Sequence, residues 1–464
     1  MPEQSNEVRV SNVITVDKGN LDTGTVAAIR LKFSFDNPKY LENQRLGFSN
    51  YSTNQTIDLY QENGAGISFP RGLVKDLFKI IPNISIEDTT ATNPVDLTDS
   101  QIQLRQYQQE AVAAMMEKNQ GILVMPPGAG KTVSAIEAVI RRGQKTLVMV
   151  HTKDLKEQWR DRFQKFTGIE PGVIDDSNFD TEQPVIIGMV QSLNARKLNT
   201  DFLSSFGCVI LDECHHAPAF TFERLLNLFP ARYRYGLTAT PERRDGLSFM
   251  LHGVFGPVIH TVGREELFSE GQIIKPLIRV VKTNFYQPAC DDYRSLIDGV
   301  TSDSDRTFLI LQYILIEAEN GHSCLVLSER ISHIEDLFLI FSTLKSKARS
   351  EILTSKVPKA ERKAILRDAD EGKIKVIFAT KLADEGLDVP RLDRLFLTCP
   401  VRSSNKVTQQ VGRIMRTFPG KVDARVYDFV DENIGLAVSQ YRTRKKEAYA
   451  DFEIEEIPYE TSNF

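Results

Sequence analysis

The amino-acid sequence predicts an α/β protein in which two tandem parallel-sheet lobes follow a small strand-rich (α+β) domain. Short apolar runs such as TLVMVH (146–151) and CVILDE (208–213) alternate with longer stretches of helical periodicity. The alternation starts again after about residue 305, with SCLVLS (323–328) and KVIFAT (375–380). Apolar strands separated by helices are typical of parallel sheets covered on both faces. Two such series in a chain of 464 residues therefore indicate two lobes.

The composition excludes several classes of protein. Apolar residues make up 41% and charged residues 26% of the chain, as in globular proteins and unlike disordered or fibrous ones. No apolar run approaches about 18 residues, and MPEQSNEVRV lacks the features of a secretory signal. Five scattered cysteines argue against a disulfide framework and favour a cytoplasmic location. The net charge of −5 leaves nucleic-acid binding open, because a local basic surface matters more than the sum.

Changes of pattern along the chain predict the domain boundaries. An N-terminal accessory domain is followed by a linker, a first lobe, an inter-lobe connection, a second lobe, and a basic C-terminal helix with its tail. The linker is assigned because its residues are polar and have no sustained period. The six ranges are 1–81, 82–100, 101–262, 263–303, 304–432 and 433–464.

The N-terminal domain is predicted to consist mainly of short strands. VAAIRLKFSF (26–35) and TIDLYQ (56–61) alternate in polarity, and GLVKDLFKI (72–80) predicts a closing helix. Residues 1–100 contain nine Lys and Arg against thirteen Asp and Glu, so any DNA contact here requires a localised edge. Protein docking is the alternative role for this domain. The candidates for a DNA-binding edge are Arg45, Phe48, Tyr51 and Arg71.

The segment VMPPGAGKT (124–132) has the composition of a phosphate-binding loop. It lies between a predicted strand and a predicted helix, and its small residues allow successive N–H groups to point at phosphate oxygens. Lys131 is expected to pair with the β- and γ-phosphates of ATP, and the Thr132 hydroxyl to ligate Mg²⁺. Met125 replaces the usual first glycine, but the core of the loop is intact. Its members are Pro127, Gly128, Ala129, Gly130, Lys131 and Thr132.

The segment CVILDECHH (208–216) presents a choice between a zinc site and an acidic pair at a strand end. A structural zinc site needs four ligands, usually as two spaced pairs, and no second Cys/His cluster occurs in the chain. Adjacent side chains on an extended backbone also point to opposite faces. We therefore interpret Asp212 as a Mg²⁺ ligand and Glu213 as the residue that polarises an attacking water. His215 is expected to bond to a neighbouring motif, and His216 to pack.

These segments and the blocks around them resemble the motor core of superfamily 2 helicases of the DExH group, which implies RecA-like lobes. LRQYQQEAV (104–112) resembles the adenine-reading segment, and VHTKDLKEQW (150–159) and GMVQSL (188–193) resemble strand-tracking motifs. LTATPER (237–243) resembles motif III. The resemblance covers about residues 101–432. In the first lobe it implies that Arg105 and Gln108 contact adenine, and that His215, Thr238 and Thr240 couple hydrolysis to strand binding.

In the second lobe, ATKLADEGLDVP (379–390) resembles motif V and QQVGRIMR (409–416) resembles motif VI. The resemblance implies that Gly386 and Asp388 face the nucleotide, and that Thr380 contacts the nucleic-acid backbone.

The spacing of motif VI agrees with a role in hydrolysis. Hydrolysis builds negative charge on the γ-phosphoryl group, and a positioned arginine can contribute about a thousandfold or more. Arg413 and Arg416 are one helical turn apart, with Gln409 on the same face. If the nucleotide lies between the lobes, these residues reach it only when the cleft closes.

Nucleic-acid contacts are predicted in the loops just after strand ends, where polar and basic residues collect. TRKKE (443–447) is either a further basic patch or an ordinary solvated helix face. Trp159 lies on an amphipathic helix and is predicted to be a core residue rather than a platform for bases. The candidate contacts are Thr152, Lys153, Gln191, Ser192, Thr380 and Lys381.

The flanking sequence favours a DNA-directed helicase. LTATPERRDG and the stretch 255–276 resemble XPB-like, RecG-like and phage UvsW-like enzymes, and Arg243 and Arg244 lie where XPB-like proteins carry a charged motif that acts on DNA. We expect an ATP- and Mg²⁺-dependent DNA helicase or translocase that remodels branched DNA, located in a host cytoplasm if it is of phage origin. The alternatives are a duplex translocase that separates no strands, an RNA helicase, and an ATP-gated clamp on nucleic acid.

Overall fold

The computed structural model describes residues 6–64, 66–97, 100–215, 219–240, 243, 245–288, 292–380, 387 and 389–459. The chain forms two compact units, one comprising residues 1–126 and 130–263 and the other residues 127–129 and 264–464. The first unit contains the N-terminal domain and the first lobe, and the second unit contains the second lobe. Among the described helices, none has the length and apolar character needed to span a bilayer.

The described part of the N-terminal domain combines a five-stranded sheet with three helices, so the predicted α+β class is confirmed. The sheet has the order β5-β6-β2-β1-β7, and β3 pairs separately with β4. All of these pairs are antiparallel except β1 with β7. The strands are β1 (Asn6–Val10), β2 (Val13–Asp17), β3 (Ser34–Asp36), β4 (Thr56–Asp58), β5 (Gln61–Asn63), β6 (Gly66–Pro70) and β7 (Ile84–Asp88). The helices are α1 (Thr23–Phe33), α2 (Pro38–Leu46) and α3 (Val74–Leu77), with 3₁₀ turns at Lys18–Asn20 and Arg71–Leu73.

The segment VAAIRLKFSF is mostly helical, so the strand prediction was wrong for it. The carboxylate of Asp22 caps the N-terminus of α1. Val26, Ile29 and Phe33 are buried and recur with helical spacing, whereas Leu31 is 85% exposed. A strand would have placed Leu31 on the same face as Ile29 and Phe33. The prediction failed because alternate apolar residues from position 29 onward also fit a two-residue period.

The predicted linker, 82–100, contains the last strand of the N-terminal sheet. β7 pairs in parallel with β1, with Ile84 opposite Asn6 and Asp88 opposite Val10. Its sequence ISIED lies at the sheet edge and no residue of it is fully buried. The only apolar alternation there, Ile84-Ser85-Ile86, is too short to indicate a strand by itself. The domain therefore extends beyond residue 81.

The first lobe is a seven-stranded, fully parallel sheet with the order β10-β11-β9-β12-β13-β8-β14. Every residue of β9, β11 and β12 is buried, as expected for strands covered on both faces. The strands are β8 (Gln120–Val124), β9 (Thr146–Val150), β10 (Gly172–Ile174), β11 (Val185–Met189), β12 (Cys208–Leu211), β13 (Tyr233–Thr238) and β14 (Val258–Thr261). The helices are α4 (Gln106–Glu117), α5 (Lys131–Arg142), α6 (Lys153–Thr167), α7 (Val190–Asn194), α8 (Thr200–Ser204), α9 (Ala219–Leu226) and α10 (Ser248–Phe255).

The second lobe is also a seven-stranded, fully parallel sheet, with the order β17-β18-β16-β19-β20-β15-β21. The two tandem RecA-like lobes of the predicted fold class are thus confirmed. The strands are β15 (Leu277–Thr283), β16 (Cys324–Leu327), β17 (Ser350–Leu353), β18 (Val376–Ala379), β19 (Arg394–Leu397), β20 (Arg425–Asp431) and β21 (Glu453–Ile457). The helices are α11 (Arg264–Ser269), α12 (Tyr293–Ser302), α13 (Ser304–Glu319), α14 (Ile331–Thr343), α15 (Lys359–Asp370), α16 (Ser404–Ile414) and α17 (Gly435–Glu447).

The second lobe includes residues that the sequence placed outside it. β15 lies in the predicted connection, 263–303, yet it is flanked by β20 and β21 in the sheet. α17 and β21 lie in the predicted tail, 433–464. β15 and β21 pair in parallel, so the predicted connection and the predicted tail each contribute a strand to the sheet of the second lobe.

The TRKKE stretch of α17 is not a solvated basic patch as a whole. Arg444 is buried and makes two hydrogen bonds to the Asp428 carboxylate, at 2.9 and 3.0 Å. Lys445 pairs with Glu456 at 3.1 Å. Two of the basic residues, Arg444 and Lys445, thus form ion pairs that hold α17 against the second lobe.

The N-terminal domain packs on the first lobe through the buried side chain of Arg71. Its guanidinium donates to Oε1 of Gln120 at 2.8 Å, to the Ala231 carbonyl at 2.6 Å and to the Arg232 carbonyl at 3.0 Å. Only 2% of Arg71 is exposed, and burial lowers its pKa to about 10. The suggestion that Arg71 forms a DNA-binding edge was therefore wrong. Arg45, Phe48 and Tyr51 are exposed.

Replacing Arg71 by Met should lower the free energy of unfolding of the first unit by about 2–4 kcal/mol. Met fills much of the volume but leaves buried carbonyls without their donor, which costs about 1–3 kcal/mol for each unsatisfied group. Urea denaturation followed by circular dichroism measures the loss. Arg45→Met, at an exposed position of α2, is the matched control. Equal stability of the two variants would contradict the role given to Arg71.

Candidate nucleotide site and nucleic-acid contacts

The phosphate loop connects β8 to α5. Gly128 and Gly130 have φ angles of 84° and 86°, a conformation that residues with a Cβ rarely adopt. Met125, in place of the usual first glycine, is fully buried, and its N–H donates to the Thr238 carbonyl at 3.0 Å. The loop therefore tolerates a large side chain at its first position because that side chain enters the core.

Gln108 packs directly against the phosphate loop. Its Oε1 accepts a hydrogen bond from the Arg105 N–H at 3.0 Å, which fixes the amide at the start of α4. A Cβ added at Gly130 would clash with Nε2 of Gln108. The residues predicted to contact adenine are thus placed beside the loop, and Gly130 is needed for close approach as well as for its φ angle.

Lys131 and Glu213 form an ion pair next to the loop. Nζ of Lys131 lies 3.4 Å from Oε1 of Glu213 and donates to the Met125 carbonyl at 3.3 Å. Only 10% of the lysine side chain and 18% of the glutamate side chain are exposed. Charges attract more strongly where water is scarce. The Glu213 carboxylate is therefore placed to compete with phosphate oxygens for the ammonium group.

Asp212 is buried and its carboxylate accepts two hydrogen bonds. Nε1 of Trp159 donates to Oδ2 at 2.7 Å, and the Glu213 N–H donates to Oδ1 at 2.8 Å. Burial raises the pKa of Asp212 to about 6, and the Glu213 charge adds to the rise. The Lys131 charge and the indole hydrogen bond oppose it. The group is therefore mostly a carboxylate at neutral pH.

A chain of contacts runs from Glu213 to the end of β13. Glu213 has a φ angle of 46°, which turns the backbone sharply after β12. Nδ1 of His215 lies 3.5 Å from Oε2 of Glu213 and 2.8 Å from Oγ1 of Thr238. That hydroxyl donates to the Thr240 carbonyl at 2.6 Å, so Nδ1 must supply the proton between His215 and Thr238. His215, Thr238 and Thr240, the residues predicted to couple hydrolysis to strand binding, are thus connected by hydrogen bonds.

Arg243 is held inside the protein. Its guanidinium donates to the His215 carbonyl at 2.9 Å and to Asp245 at 2.6 Å, and it lies 5.8 Å from the ring centroid of Phe222. Only 5% of its side chain is exposed. A DNA contact by Arg243 would require these interactions to break. Arg244 lies outside the described residues.

The cysteines of CVILDECHH do not resemble zinc ligands. Cys214 is buried, its N–H donates to the Leu237 carbonyl at 3.0 Å, and burial raises the pKa of its thiol well above the usual range. Burial likewise raises the pKa of Cys208 to about 12. Within the described ranges, no three His, Cys, Asp or Glu side chains are grouped so as to hold a metal ion. His216 is outside those ranges.

The predicted strand-tracking residues of the first lobe lie at two neighbouring strand ends. Thr152 caps the N-terminus of α6, and Lys153 is exposed in its first turn. Nε2 of Gln191 donates to the His151 carbonyl at 2.9 Å, which joins the start of α7 to the loop after β9. Ser192 is only 3% exposed and its hydroxyl donates to an aspartate, so it is less accessible than its neighbours.

In the second lobe, α16 carries Gln409 and Arg413. Arg413 is buried and donates to the Leu387 carbonyl at 2.7 Å. Gln409 lies on the same helix, one turn before Arg413. The prediction that Arg416 follows Arg413 by one helical turn was wrong, because the helix ends at Ile414 and Arg416 forms a β-bridge with Ile273. Thr380 is buried just after β18. Lys381, Gly386 and Asp388, also predicted as site residues, lie outside the described residues.

Comparison with known families decides the class of the protein. Residues 101–243 match the family described as type III restriction enzyme, res subunit, and residues 306–418 match the helicase conserved C-terminal domain. Together the two matches span more than half of the chain. The chain is a superfamily 2 helicase. It is therefore an enzyme that hydrolyses ATP.

Individual relatives of this helicase include cellular and viral proteins. The DNA 3'-5' translocase XPB2 of Sulfurisphaera tokodaii is 29% identical over 72% of this chain and 83% of its own. The putative ATP-dependent RNA helicase L396 of Acanthamoeba polyphaga mimivirus is 27% identical over 92% of this chain and 82% of its own. A fragment of a putative HsdR subunit of a type I restriction enzyme from Vibrio vulnificus aligns with a TM-score of 0.60. That alignment has 19% identity and covers 78% of this chain and 70% of the fragment, which supports the fold.

The helicase offers suitable ligands for Mg²⁺ at the phosphate loop. Mg²⁺ prefers oxygen ligands from one or two protein groups together with phosphates and water. The Thr132 hydroxyl and the Asp212 carboxylate are such oxygens, and a single neighbour, Arg162, connects them. Its Nη1 donates to Thr132 Oγ1 at 3.0 Å, and the charge of Asp212 acts on its guanidinium. Thr132 and Asp212 therefore fit the metal site that the sequence predicts.

Sequence reasoning missed three residues that contact members of the predicted site. Trp159 was interpreted as core, and it is buried, but its indole also bonds to Asp212. Arg162 bonds to Thr132. In the second lobe, Nζ of Lys421 donates to the carbonyls of Leu392 at 2.6 Å and Arg416 at 2.8 Å, and burial lowers its pKa to about 8. No motif spacing marks these residues, because each acts across elements far apart in sequence.

Proposed function

We propose that this helicase is an ATP- and Mg²⁺-dependent motor that moves on DNA and remodels branched DNA such as forks and four-way junctions. The observation that carries the motor function is the continuous set of contacts from Lys131 through Glu213 and His215 to Thr238. Members of such a network affect one another, because each hydrogen bond polarises the next. A change at the acidic pair can therefore alter the end of β13.

The roles in hydrolysis follow from the chemistry of these side chains. Bound ATP supplies the phosphoanhydride bond that is cleaved, and Mg²⁺ neutralises charge on its phosphates. Lys131 binds phosphate oxygens, while Thr132 and Asp212 hold the metal. Glu213 orients the attacking water and accepts its proton, which its position beside Lys131 supports.

The remaining predicted residues complete the proposal. Arg105 and Gln108 contact the adenine base, and Gly386 and Asp388 face the nucleotide. Gln409, Arg413 and Arg416 stabilise the charge that develops on the γ-phosphoryl group. The backbone of the DNA strand is contacted by Thr152, Lys153, Gln191, Ser192, Arg243, Arg244, Thr380 and Lys381.

DNA is proposed as the track because the relative from Sulfurisphaera tokodaii is named a DNA 3'-5' translocase. RNA is the second candidate, since the mimivirus relative, which matches more of the chain, is named a putative RNA helicase. Most of the predicted backbone contacts come from hydroxyl, amide and basic groups, which do not by themselves distinguish the two.

The test is ATP turnover by the purified protein without nucleic acid and then with single-stranded DNA, duplex DNA, a four-way junction and RNA. We expect DNA to stimulate turnover, with the largest effect for the junction, and the junction to be converted to separated arms. Stimulation of turnover by RNA alone would mean that the motor moves on RNA and not on DNA. Turnover with bound DNA but no displaced strand or moved branch would indicate a clamp instead of a remodelling motor.

A further inference from the structure

One face of α6 contacts both proposed metal ligands. Trp159 and Arg162 are three residues apart, which places them one above the other on the same face of the helix. The indole Nε1 of Trp159 donates to Oδ2 of Asp212 at 2.7 Å, and Nη1 of Arg162 donates to Oγ1 of Thr132 at 3.0 Å. We propose that this face of α6 sets how tightly Mg²⁺ is held at Thr132 and Asp212.

Trp159 fixes the orientation of the Asp212 carboxylate. The indole N–H is a donor only, so it must point at an acceptor, and here the acceptor is one carboxylate oxygen. The other oxygen accepts the Glu213 N–H at 2.8 Å, so the carboxylate is held at both ends. Each oxygen keeps a lone pair for the metal or for a metal-bound water. Donors that orient a ligating carboxylate usually strengthen metal binding.

Arg162 acts in the opposite direction. It carries a positive charge that contacts the hydroxyl expected to ligate Mg²⁺. A fixed cation beside this oxygen repels a second cation and occupies one of its lone pairs. Trp159 therefore favours Mg²⁺ and Arg162 opposes it, although both belong to one helix.

The position of α6 connects the opposing effects of Trp159 and Arg162 on Mg²⁺ to the binding of the nucleic-acid strand. The helix begins at Lys153, directly after Thr152, and both are proposed to contact the nucleic-acid strand. A small displacement of α6 by a bound strand would move Trp159 and Arg162 together relative to Asp212 and Thr132. This inference rests on the proposed ATP site and adds two positioning residues to it.

The test measures the affinity for a non-hydrolysable ATP analogue in Mg²⁺ and in EDTA, and compares the ratio of the two affinities between variants. Trp159→Phe should lower the ratio about tenfold or more, as is usual when a group that orients a metal ligand is removed. Arg162→Gln should raise the ratio. A variant that is merely less stable changes both affinities alike and leaves the ratio as it was.

Arg160→Gln is the matched control, because Arg160 lies on the same helix but pairs with Glu170 at the surface. Its ratio should equal that of the wild type. If Trp159→Phe and Arg162→Gln also keep the wild-type ratio, the role of α6 is refuted while the ATP site stands. If the wild type itself gains no affinity from Mg²⁺, the proposed metal site is refuted.

Intrinsic fluorescence provides a readout without any substitution, since Trp159 is the only tryptophan of the chain. Its emission should change when the analogue is added with Mg²⁺, because the carboxylate that accepts the indole N–H is then shared with the metal. The analogue in EDTA should produce a smaller change. Equal spectra under the two conditions would contradict the contact between Trp159 and the metal ligand.

Discussion

Replacing Glu213 by Gln is expected to lower ATP turnover by about 10²- to 10⁴-fold while ATP binding is kept or strengthened. The amide of Gln cannot accept a proton from the attacking water, which removes the contribution of a general base. Binding should respond differently, because Oε1 of Glu213 lies 3.4 Å from the ammonium of Lys131 and competes with phosphate for it. Gln removes the competing charge and its repulsion of the triphosphate.

Single-turnover hydrolysis and titration with a fluorescent ATP analogue measure the two effects separately. Glu223→Gln is the matched control, since Glu223 is a partly buried carboxylate of the same lobe that accepts a hydrogen bond from Asn227 at 3.2 Å. The control should leave turnover and binding unchanged. Undiminished turnover in Glu213→Gln would remove Glu213 from its proposed role. Loss of binding together with turnover would show damage to the loop instead.

The central strands of both lobes were predictable because burial on two faces leaves a continuous apolar run. TLVMVH corresponds to β9, Thr146–Val150, and KVIFAT to β18, Val376–Ala379, so one of the four boundaries agrees and the other three differ by one residue. Such runs are recognisable from the sequence alone, since most residues on both faces of a doubly covered strand are apolar. The helices between them follow from the same alternation.

Strands at or near sheet edges were not predictable in this way. β7, with the sequence ISIED, and β21, with the sequence EIEEI, contain no fully buried residue. Neither pattern differs from that of a polar linker or tail. β15 is apolar enough to be a strand, but it enters the sheet between β20 and β21, which follow it much later in the chain. Its place depends on pairing with distant strands, and no local pattern encodes that.

The residues of the proposed site also fall into two groups, those that a local sequence pattern identifies and those whose role depends on the folded structure. Lys131, Asp212 and Glu213 were identified because phosphate and metal chemistry requires certain side chains at a fixed spacing, and the structure brings them together. Arg71 was suggested as part of a localised DNA-binding edge of an acidic domain, and Arg243 was assigned to DNA by the resemblance to the charged motif of XPB-like proteins. Both side chains are largely enclosed and donate to carbonyl groups of neighbouring elements, which need donors inside the protein, so the proposed DNA contact of Arg243 requires its release from the His215 carbonyl. That need becomes visible only after the chain has folded.

Replacing Lys131 by Ala is expected to abolish ATP turnover and to weaken ATP binding by about 2–5 kcal/mol, roughly 30-fold to several thousandfold. The ammonium is the only proposed protein cation of the phosphate loop, and Ala leaves the triphosphate facing two carboxylates, Asp212 and Glu213. Lys145→Ala is the matched control, because Nζ of Lys145 donates to the Thr181 carbonyl at 2.7 Å in the same lobe. Nucleotide titration and thermal unfolding of both variants separate lost binding from lost folding. ATP binding or turnover at the wild-type level in Lys131→Ala would contradict the proposed role of the loop.

The loss of Mg²⁺-dependent ATP affinity in Lys131→Ala should also depend on pH, because Lys131 affects the ionisation of Asp212 as well as the phosphates. The Lys131 charge opposes the rise in the pKa of Asp212, so its removal moves that pKa above about 6 and protonates more of the carboxylate at neutral pH. A protonated Asp212 binds Mg²⁺ poorly, because metals bind the ionised ligand. Raising the pH to about 8.5 should therefore restore part of the Mg²⁺-dependent ATP affinity of Lys131→Ala but add little to that of the wild type, whose Asp212 is already ionised. An equal response of both proteins would mean that Lys131 acts on the phosphates alone and that Asp212 ionises independently of it.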